Sequence, residues 1–209
     1  MKENKLSFEE LVTKNKLGIE YIKEFDKASR IYTLARAEEL KTNPIKGNFD
    51  YEHLKAIHKH IFQDVFSWAG LDRDDLGLKN EFKKLAPNGT YSEFVPGIYL
   101  KDTAKQIFDF LKEDNYLKDC KNIDEFASAL SEVYRNIDYL HPFREGNGRT
   151  ERIFLNQLAQ NAGYKLDLGL IDKDKLIQAS AMANQCNLVK LKTIILKNLK
   201  SFKENNKEK

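Results

Sequence analysis

His141, Glu145, Gly146, Asn147, Gly148, Arg149 and Arg152 fall within one run of twelve residues, HPFREGNGRTER. Charged side chains and histidine are costly to bury unpaired, and glycines are conformationally loose, so a packed core has no use for this set. Glycines on both sides of Asn147, immediately before a helical segment, let backbone N–H groups converge on one concavity. The first N–H groups of a helix lack internal partners and carry partial positive charge, which makes an anion site. Arg149 and Arg152, three apart, share one side of the first turn. Cations there oppose the helix dipole, so intrinsic helix stability does not explain them, whereas a bound phosphate does. Glu145, an acid beside that site, fits a bridging Mg²⁺, which takes one or two carboxylates together with substrate phosphates. His141 can accept a proton at neutral pH. Phe143 is expected to point inward and anchor the loop. The chemistry these residues suggest is base-assisted transfer involving a nucleotide phosphate and a metal.

The elements that must position this run are helical. Apolar residues Ile22, Phe25, Ala28, Ile31, Leu34 and Ala35 recur at helical spacing over 19–41, before Pro44 and Gly47 break the pattern. Asp50 reads as the N-cap of a helix over 51–66, with Leu54, Ile57, Ile61 and Val65 on one face. Further helices are expected over 98–114, 123–139 (stripe Phe126, Leu130, Val133, Ile137), 149–162, 172–182 and 187–202, with a polar Lys-rich tail after them. From Ser67 to Pro96 the period fails, and "PNG" at 87–89 is a turn signal that closes a hairpin. A long irregular stretch inside a small domain is usually functional. The fold class is therefore all-α with one irregular insertion.

Composition narrows the function classes. At 209 residues, with 41% hydrophobic and 32% charged residues, the chain can bury a core and forms one domain. A net charge of only +3 does not mark a nucleic-acid binder, so no direct nucleic-acid partner is expected. Cys120 and Cys186 have neither metal-site nor disulfide-framework spacing and read as free thiols. No signal core and no membrane-length apolar run is present, which predicts a cytoplasmic protein unless a dedicated secretion system exports it. His53, His58 and His60 are read as surface or partly packed residues and Trp68 as a core plug. A helical DNA-binding or protein-interaction module would account for the basic tail but leaves His141 and Glu145 unexplained.

The run matches, at every specified position, the pattern H-x-F-x-(D/E)-G-N-G-R-x-x-R and so resembles the Fic family. "NKLGI" at 15–19 and "GNFDYEHLKAIHKHIFQDVFSWAG" at 47–70 extend the likeness towards small single-domain bacterial toxin-type Fic proteins. The resemblance implies a Fic-type helical domain over 1–203 with a short β-hairpin flap at about 85–97 and a polar tail at 204–209. It implies transfer of AMP from ATP to a Tyr, Thr or Ser hydroxyl of a target protein, with His141 as base and Glu145 holding Mg²⁺. Arg144, Glu145, Gly146, Asn147, Gly148, Arg149, Thr150 and Arg152 would bind the nucleotide, Arg152 at the γ-phosphate. Asn187, with Asn184, is the candidate for the adenine pocket. Glycine at 148, where a kinase-like branch of the family carries lysine, favours AMP transfer. The flap, with Tyr91, Ser92, Glu93 and Phe94 after Thr90, would clamp the target by strand addition. The family's inhibitory pattern (S/T)-x-x-x-E-(G/N) is mismatched here. Glu204-Asn205 is present, but Lys200 stands four before the glutamate and Ser201 is one residue late. That favours inhibition in trans by a small antitoxin over a cis C-terminal inhibitory helix.

Overall fold

The computed structural model of the chain describes residues 14–85, 89 and 91–201. Seven α-helices run through these residues: α1 (Ile22–Thr42), α2 (Tyr51–Phe62), α3 (Leu100–Glu113), α4 (Ile123–Leu140), α5 (Asn147–Asn161), α6 (Lys173–Asn184) and α7 (Val189–Asn198). Two antiparallel pairs join them, β1 (Phe82–Leu85) with β2 (Tyr91–Phe94), and β3 (Tyr164–Leu166) with β4 (Leu199–Ser201). The helix starts are written locally. Asp50 accepts the His53 N–H at 2.8 Å, Asn122 the Glu125 N–H at 2.9 Å, and Asp172 the Lys175 N–H at 3.0 Å.

α5 is the central helix, packed on α2 and α4, and its Phe154, Leu155, Leu158 and Ala159 are fully buried. Leu54, Ile57 and Ile61 of α2 meet it, and Phe126, Leu130 and Ile137 of α4 face the same core, with Val133 partly buried. Trp68 is buried and stacks on Phe66 at 4.2 Å, as a core plug should. Cys120 and Cys186 are free thiols. Among the described residues no helix is long and apolar enough to cross a membrane.

Several expectations need correction. On α1 the buried residues are Phe25, Ser29, Thr33 and Leu40, while Ile22, Ile31, Leu34 and Ala35 are exposed. Two stripes fit the helical period, and the one with hydroxyls is turned inward, where it meets an arginine of α5. α2 ends at Phe62 rather than at residue 66, so Val65 is buried from a turn. The last helix stops at Asn198, not at residue 202. Leu199–Ser201 then pairs with Tyr164–Leu166, with Leu166 opposite Leu199 and both buried. The alternation buried, exposed, half-buried over 199–201 is strand periodicity that three residues are too short to announce. The tail at 204–209, with Glu204 and Asn205, lies outside the described residues.

The hairpin exists, but β1 begins at Phe82, ahead of the expected boundary at 85. Its register pairs Phe82 with Phe94, Lys83 with Glu93, Lys84 with Ser92 and Leu85 with Tyr91. Period two places Phe82, Lys84, Ser92 and Phe94 on the inner face and Lys83, Leu85, Tyr91 and Glu93 on the outer. Of the turn, Pro87, Asn88 and Thr90 lie outside the described residues.

Candidate active site

His141 ends α4 as its C-cap, in the left-handed region at φ 43° and ψ 57°, with its N–H donated to the Ile137 carbonyl at 3.1 Å. This conformation is disfavoured for a residue with a Cβ, so it has to be held from outside the helix. Arg73, from the irregular segment before the hairpin, does the holding. Its Nε donates to the His141 carbonyl at 2.9 Å. Its Nη2 donates to the carbonyls of Val95 at 2.5 Å and Leu140 at 3.3 Å. Its backbone N–H reaches Pro142 at 2.8 Å, and its guanidinium lies 4.7 Å over the Phe82 ring. One planar cation therefore ties the helix end, the following loop and the root of β2 together. Arg73 is fully buried, and burial pushes its guanidinium down to about 10, still charged at neutral pH.

The His141 ring stacks on Phe94 at 4.0 Å and lies 5.8 Å from Phe82. Its Nδ1 is 3.3 Å from the Asp138 carbonyl, which can only accept, so Nδ1 carries the proton. Nε2 is buried and makes no hydrogen bond among the described residues, leaving its lone pair available. Burial, then the charges of Lys84 and Arg73, hold the imidazole well below its ordinary pKa, so it is neutral at pH 7.

The loop after His141 is braced from within. Asn147 accepts the Phe143 N–H at 2.8 Å and donates to the Phe143 carbonyl at 2.6 Å. Phe143 is buried, as expected, and stacks on His58 at 3.8 Å. His58 is neither at the surface nor partly packed but fully buried. Its Nε2 donates to the Glu145 carbonyl at 3.0 Å, and its Nδ1 accepts the Gly70 N–H at 2.8 Å. Burial pushes it down to about 3. Gly146, at φ 86°, is the N-cap of α5, so that helix starts two residues before the expected Arg149. A Cβ there would sit 2.2 Å from the Phe62 ring. Thr150 is fully buried and donates to the Gly146 carbonyl at 3.1 Å.

Two members of the expected nucleotide set brace the loop: the Asn147 side-chain amide and the Thr150 hydroxyl are engaged inside it. Others stand where an anion would. The N–H groups of Arg149 and Thr150 return to the Gly146 carbonyl, while those of Asn147 and Gly148 open the helix without an intrahelical acceptor. Arg149 lies 4.6 Å over Phe62, donates to Thr33 Oγ1 at 3.0 Å and Ser29 Oγ at 3.5 Å, and stands 3.6 Å from the Glu145 carboxylate. Arg152 passes next to Gly148, where a Cβ would meet its Nη1 at 3.3 Å. Arg144 is buried, which pushes it down to about 10. Glu145 has the most open side chain of the loop's acid and bases, 41% exposed. Among the described residues no three acidic, histidine or cysteine side chains gather as a metal cluster. A lone accessible carboxylate fits Mg²⁺ only where phosphate oxygens and water fill the remaining positions.

Asn187 is exposed, and its Oδ1 accepts the Val189 N–H at 3.3 Å, capping the start of α7. Asn184 points to Asp138 instead, at 2.9 Å. On the hairpin, Tyr91 and Glu93 are exposed and Ser92 is half-buried, while Phe94 is buried and stacks on His141. Sequence reasoning missed Arg73, His58, Ser29, Thr33, Lys84 and Asp138. Asp138, one turn before the histidine, carried a readable signal; the others act through tertiary contacts.

A buried neutral imidazole with a free lone pair, joined by a five-residue loop to a helix N-terminus bearing two arginines, can take a proton from a hydroxyl poised over a bound phosphate. The Fic/DOC family model matches residues 48–159. VbhT, a protein adenylyltransferase of Bartonella schoenbuchensis, is 32% identical over 191 residues, covering 91% of this chain and 38% of its own length. The "probable protein adenylyltransferase y4lH" of Sinorhizobium fredii is 32% identical over 168 residues, covering 80% of this chain and 81% of its own. The N-terminal Fic domain of a VirB-translocated effector from Bartonella quintana, solved with bound ADP, superposes with a TM-score of 0.81 at 30% identity, over 93% of this chain and 94% of that one. The chain spans well under half of VbhT, and most of y4lH.

Proposed function

The chain belongs to the Fic/DOC family, and from that premise we propose that it is a protein adenylyltransferase, moving AMP from ATP to a Tyr, Thr or Ser hydroxyl of a target protein. The observation that carries this reading is His141, buried and neutral, with Nε2 unengaged and only a five-residue loop between it and the N-terminus of α5. The adenylyltransferase names of VbhT and y4lH, and the ADP bound by the Bartonella quintana domain, support it.

In the proposed reaction Nε2 of His141 takes the hydroxyl proton as the hydroxyl oxygen bonds to the α-phosphorus. The bond from that phosphorus to the bridging oxygen breaks, and pyrophosphate leaves. The backbone N–H groups of Asn147 and Gly148, with Arg149 and Arg152, hold the phosphates and the charge that develops on them. Arg152 is assigned to the γ-phosphate. Glu145 would hold Mg²⁺, which, when bound, neutralises phosphate charge. Tyr91, Ser92 and Glu93 offer a strand edge to the target, and the contact of Phe94 with His141 fixes that edge relative to the base.

The proposal extends to regulation in trans by a small antitoxin. In support, Lys200 and Ser201, where an inhibitory helix in cis would begin, lie in β4. The test is transfer of label from α-³²P-ATP with Mg²⁺ into bacterial lysate proteins, wild type against His141→Ala. A labelled band dependent on His141 is expected; equal labelling by the variant would remove His141 as base.

A further inference from the structure

Asp138 lies one helical turn before His141 on α4. Its Oδ1 is 3.9 Å from His141 Nδ1, and both side chains are largely shielded, 16% and 9% exposed. Its other oxygen, Oδ2, accepts the Asn184 Nδ2–H at 2.9 Å. Asn184 closes α6, so a helix 46 residues downstream fixes the orientation of this carboxylate. The backbone carbonyl of the same Asp138 takes the Nδ1 proton at 3.3 Å. One residue therefore touches the back of the imidazole with two groups, while Nε2 is left for chemistry.

We propose that the Asp138 carboxylate is a positioning residue and counter-charge for His141, stabilising the imidazolium that forms when Nε2 takes a proton, with Asn184 holding the carboxylate in place. The proposal rests on His141 acting as a base. Before the transfer the imidazole is neutral and gains little from the carboxylate. Afterwards a cation sits in a buried site where the other nearby charges, Lys84 and Arg73, both oppose it. A carboxylate that acts only once the proton has moved favours the transition state over the ground state.

The groups facing Asp138 are His141 and Tyr134 on α4, Glu151 on α5, Lys84 on β1 and Asn184 on α6. Burial, then the Asp138 charge, push the Glu151 carboxyl well above its ordinary range. Burial pushes the Asp138 carboxyl up to about 6, against the lowering effects of the Asn184 bond and of Lys84.

The first test needs no nucleotide. Ring ¹⁵N spectra of His141 should show the Nδ1–H tautomer in wild type, with ring shifts that step as Asp138 ionises near about 6, a step that Asp138→Asn should remove. An Nε2–H tautomer, or ring shifts with no step near about 6 in wild type, overturns the proposal. The second test is the pH profile of AMP transfer. Wild type should lose rate on the acid side near about 6. Asp138→Asn should lower kcat/KM about 10- to 100-fold with little change in ATP affinity, and abolish that limb. Asn184→Leu removes a bond that favours the ionised carboxylate, so its limb should move to higher pH. Profiles unchanged in both variants refute the pairing. If wild type transfers no AMP, the adenylyltransferase reading fails while the spectra still decide the pairing.

Discussion

Gly146→Ala is the substitution whose cost follows most directly from geometry. The residue sits at φ 86°, where an L side chain costs about 1–2 kcal/mol. Its new Cβ would lie 2.2 Å from Phe62 Cζ and 2.3 Å from Cε2. Phe62 is fully buried and cannot swing away: its ring has His58 at 4.7 Å, Phe66 at 5.7 Å and the Arg149 guanidinium at 4.6 Å. Overpacking of this kind costs a further ~1–3 kcal/mol. The sum is ~2–5 kcal/mol, and with ~2–4 °C per kcal/mol for a domain of this size a central loss of ~3 kcal/mol lowers Tm by ~6–12 °C. The assay is thermal and urea unfolding of wild type, Gly146→Ala, Phe62→Leu and the double variant. Removing the ring should relieve the overlap but not the backbone strain, so in the Phe62→Leu background the alanine should cost only ~1–2 kcal/mol. A Gly146→Ala protein that melts within about 1 °C of wild type, or an equal alanine cost in both backgrounds, refutes the close approach as the reason for glycine.

Two further outcomes are expected. Arg73→Lys keeps the charge but loses the planar fork onto three carbonyls, so stability should fall by about 2–5 kcal/mol and transfer should fall with it; a change under about 1 kcal/mol in urea unfolding would refute the clasp. His58 is held neutral at about 3 when folded, against ~6.5 unfolded, so its contribution to stability is present above ~6.5 and lost as pH falls towards 3, by ~1.4 kcal/mol per pH unit and at most ~5 kcal/mol. Asp138 works in the opposite sense, its contribution being present below ~3.9 and lost as pH rises through about 6. Urea midpoints at several pH values should therefore show a shallower acid loss for His58→Gln than for wild type, and an identical slope would refute its buried neutral state.

The motif was legible because its chemistry is local: His141, Glu145, the two glycines and the arginines are contiguous, and their types conflict with any packing role. Within that run, sequence could not separate ligand from brace. The Asn147 amide closes on Phe143 four residues back, satisfying a loop N–H and carbonyl that would otherwise be buried unpaired, and the Thr150 hydroxyl donates to the Gly146 carbonyl four residues back. The irregular stretch before the hairpin was recognisable as functional, but not that Arg73 in it would hold His141, 68 residues away. On α1 the apolar count favoured the wrong stripe, because Ser29 and Thr33 are buried to meet Arg149, a contact that appears only once α1 and α5 are packed. β3 and β4 are too short to show a period, and each needs the other, more than thirty residues away, to satisfy its backbone.

The Arg73 clasp has a consequence for how the molecule fluctuates. The amides of Arg73, Val95 and His141 bond the carbonyls of Pro142, Tyr139 and Ile137, and the same guanidinium spans the carbonyls of Val95, Leu140 and His141. Hairpin root, helix end and motif loop have no separate way to loosen, because freeing any one strands the cation that serves the other two. Their amides should exchange with solvent through a single shared opening, at a free energy nearer that of the core than of a surface hairpin. The base therefore sits in a cooperative block that keeps its shape until much of the domain gives way.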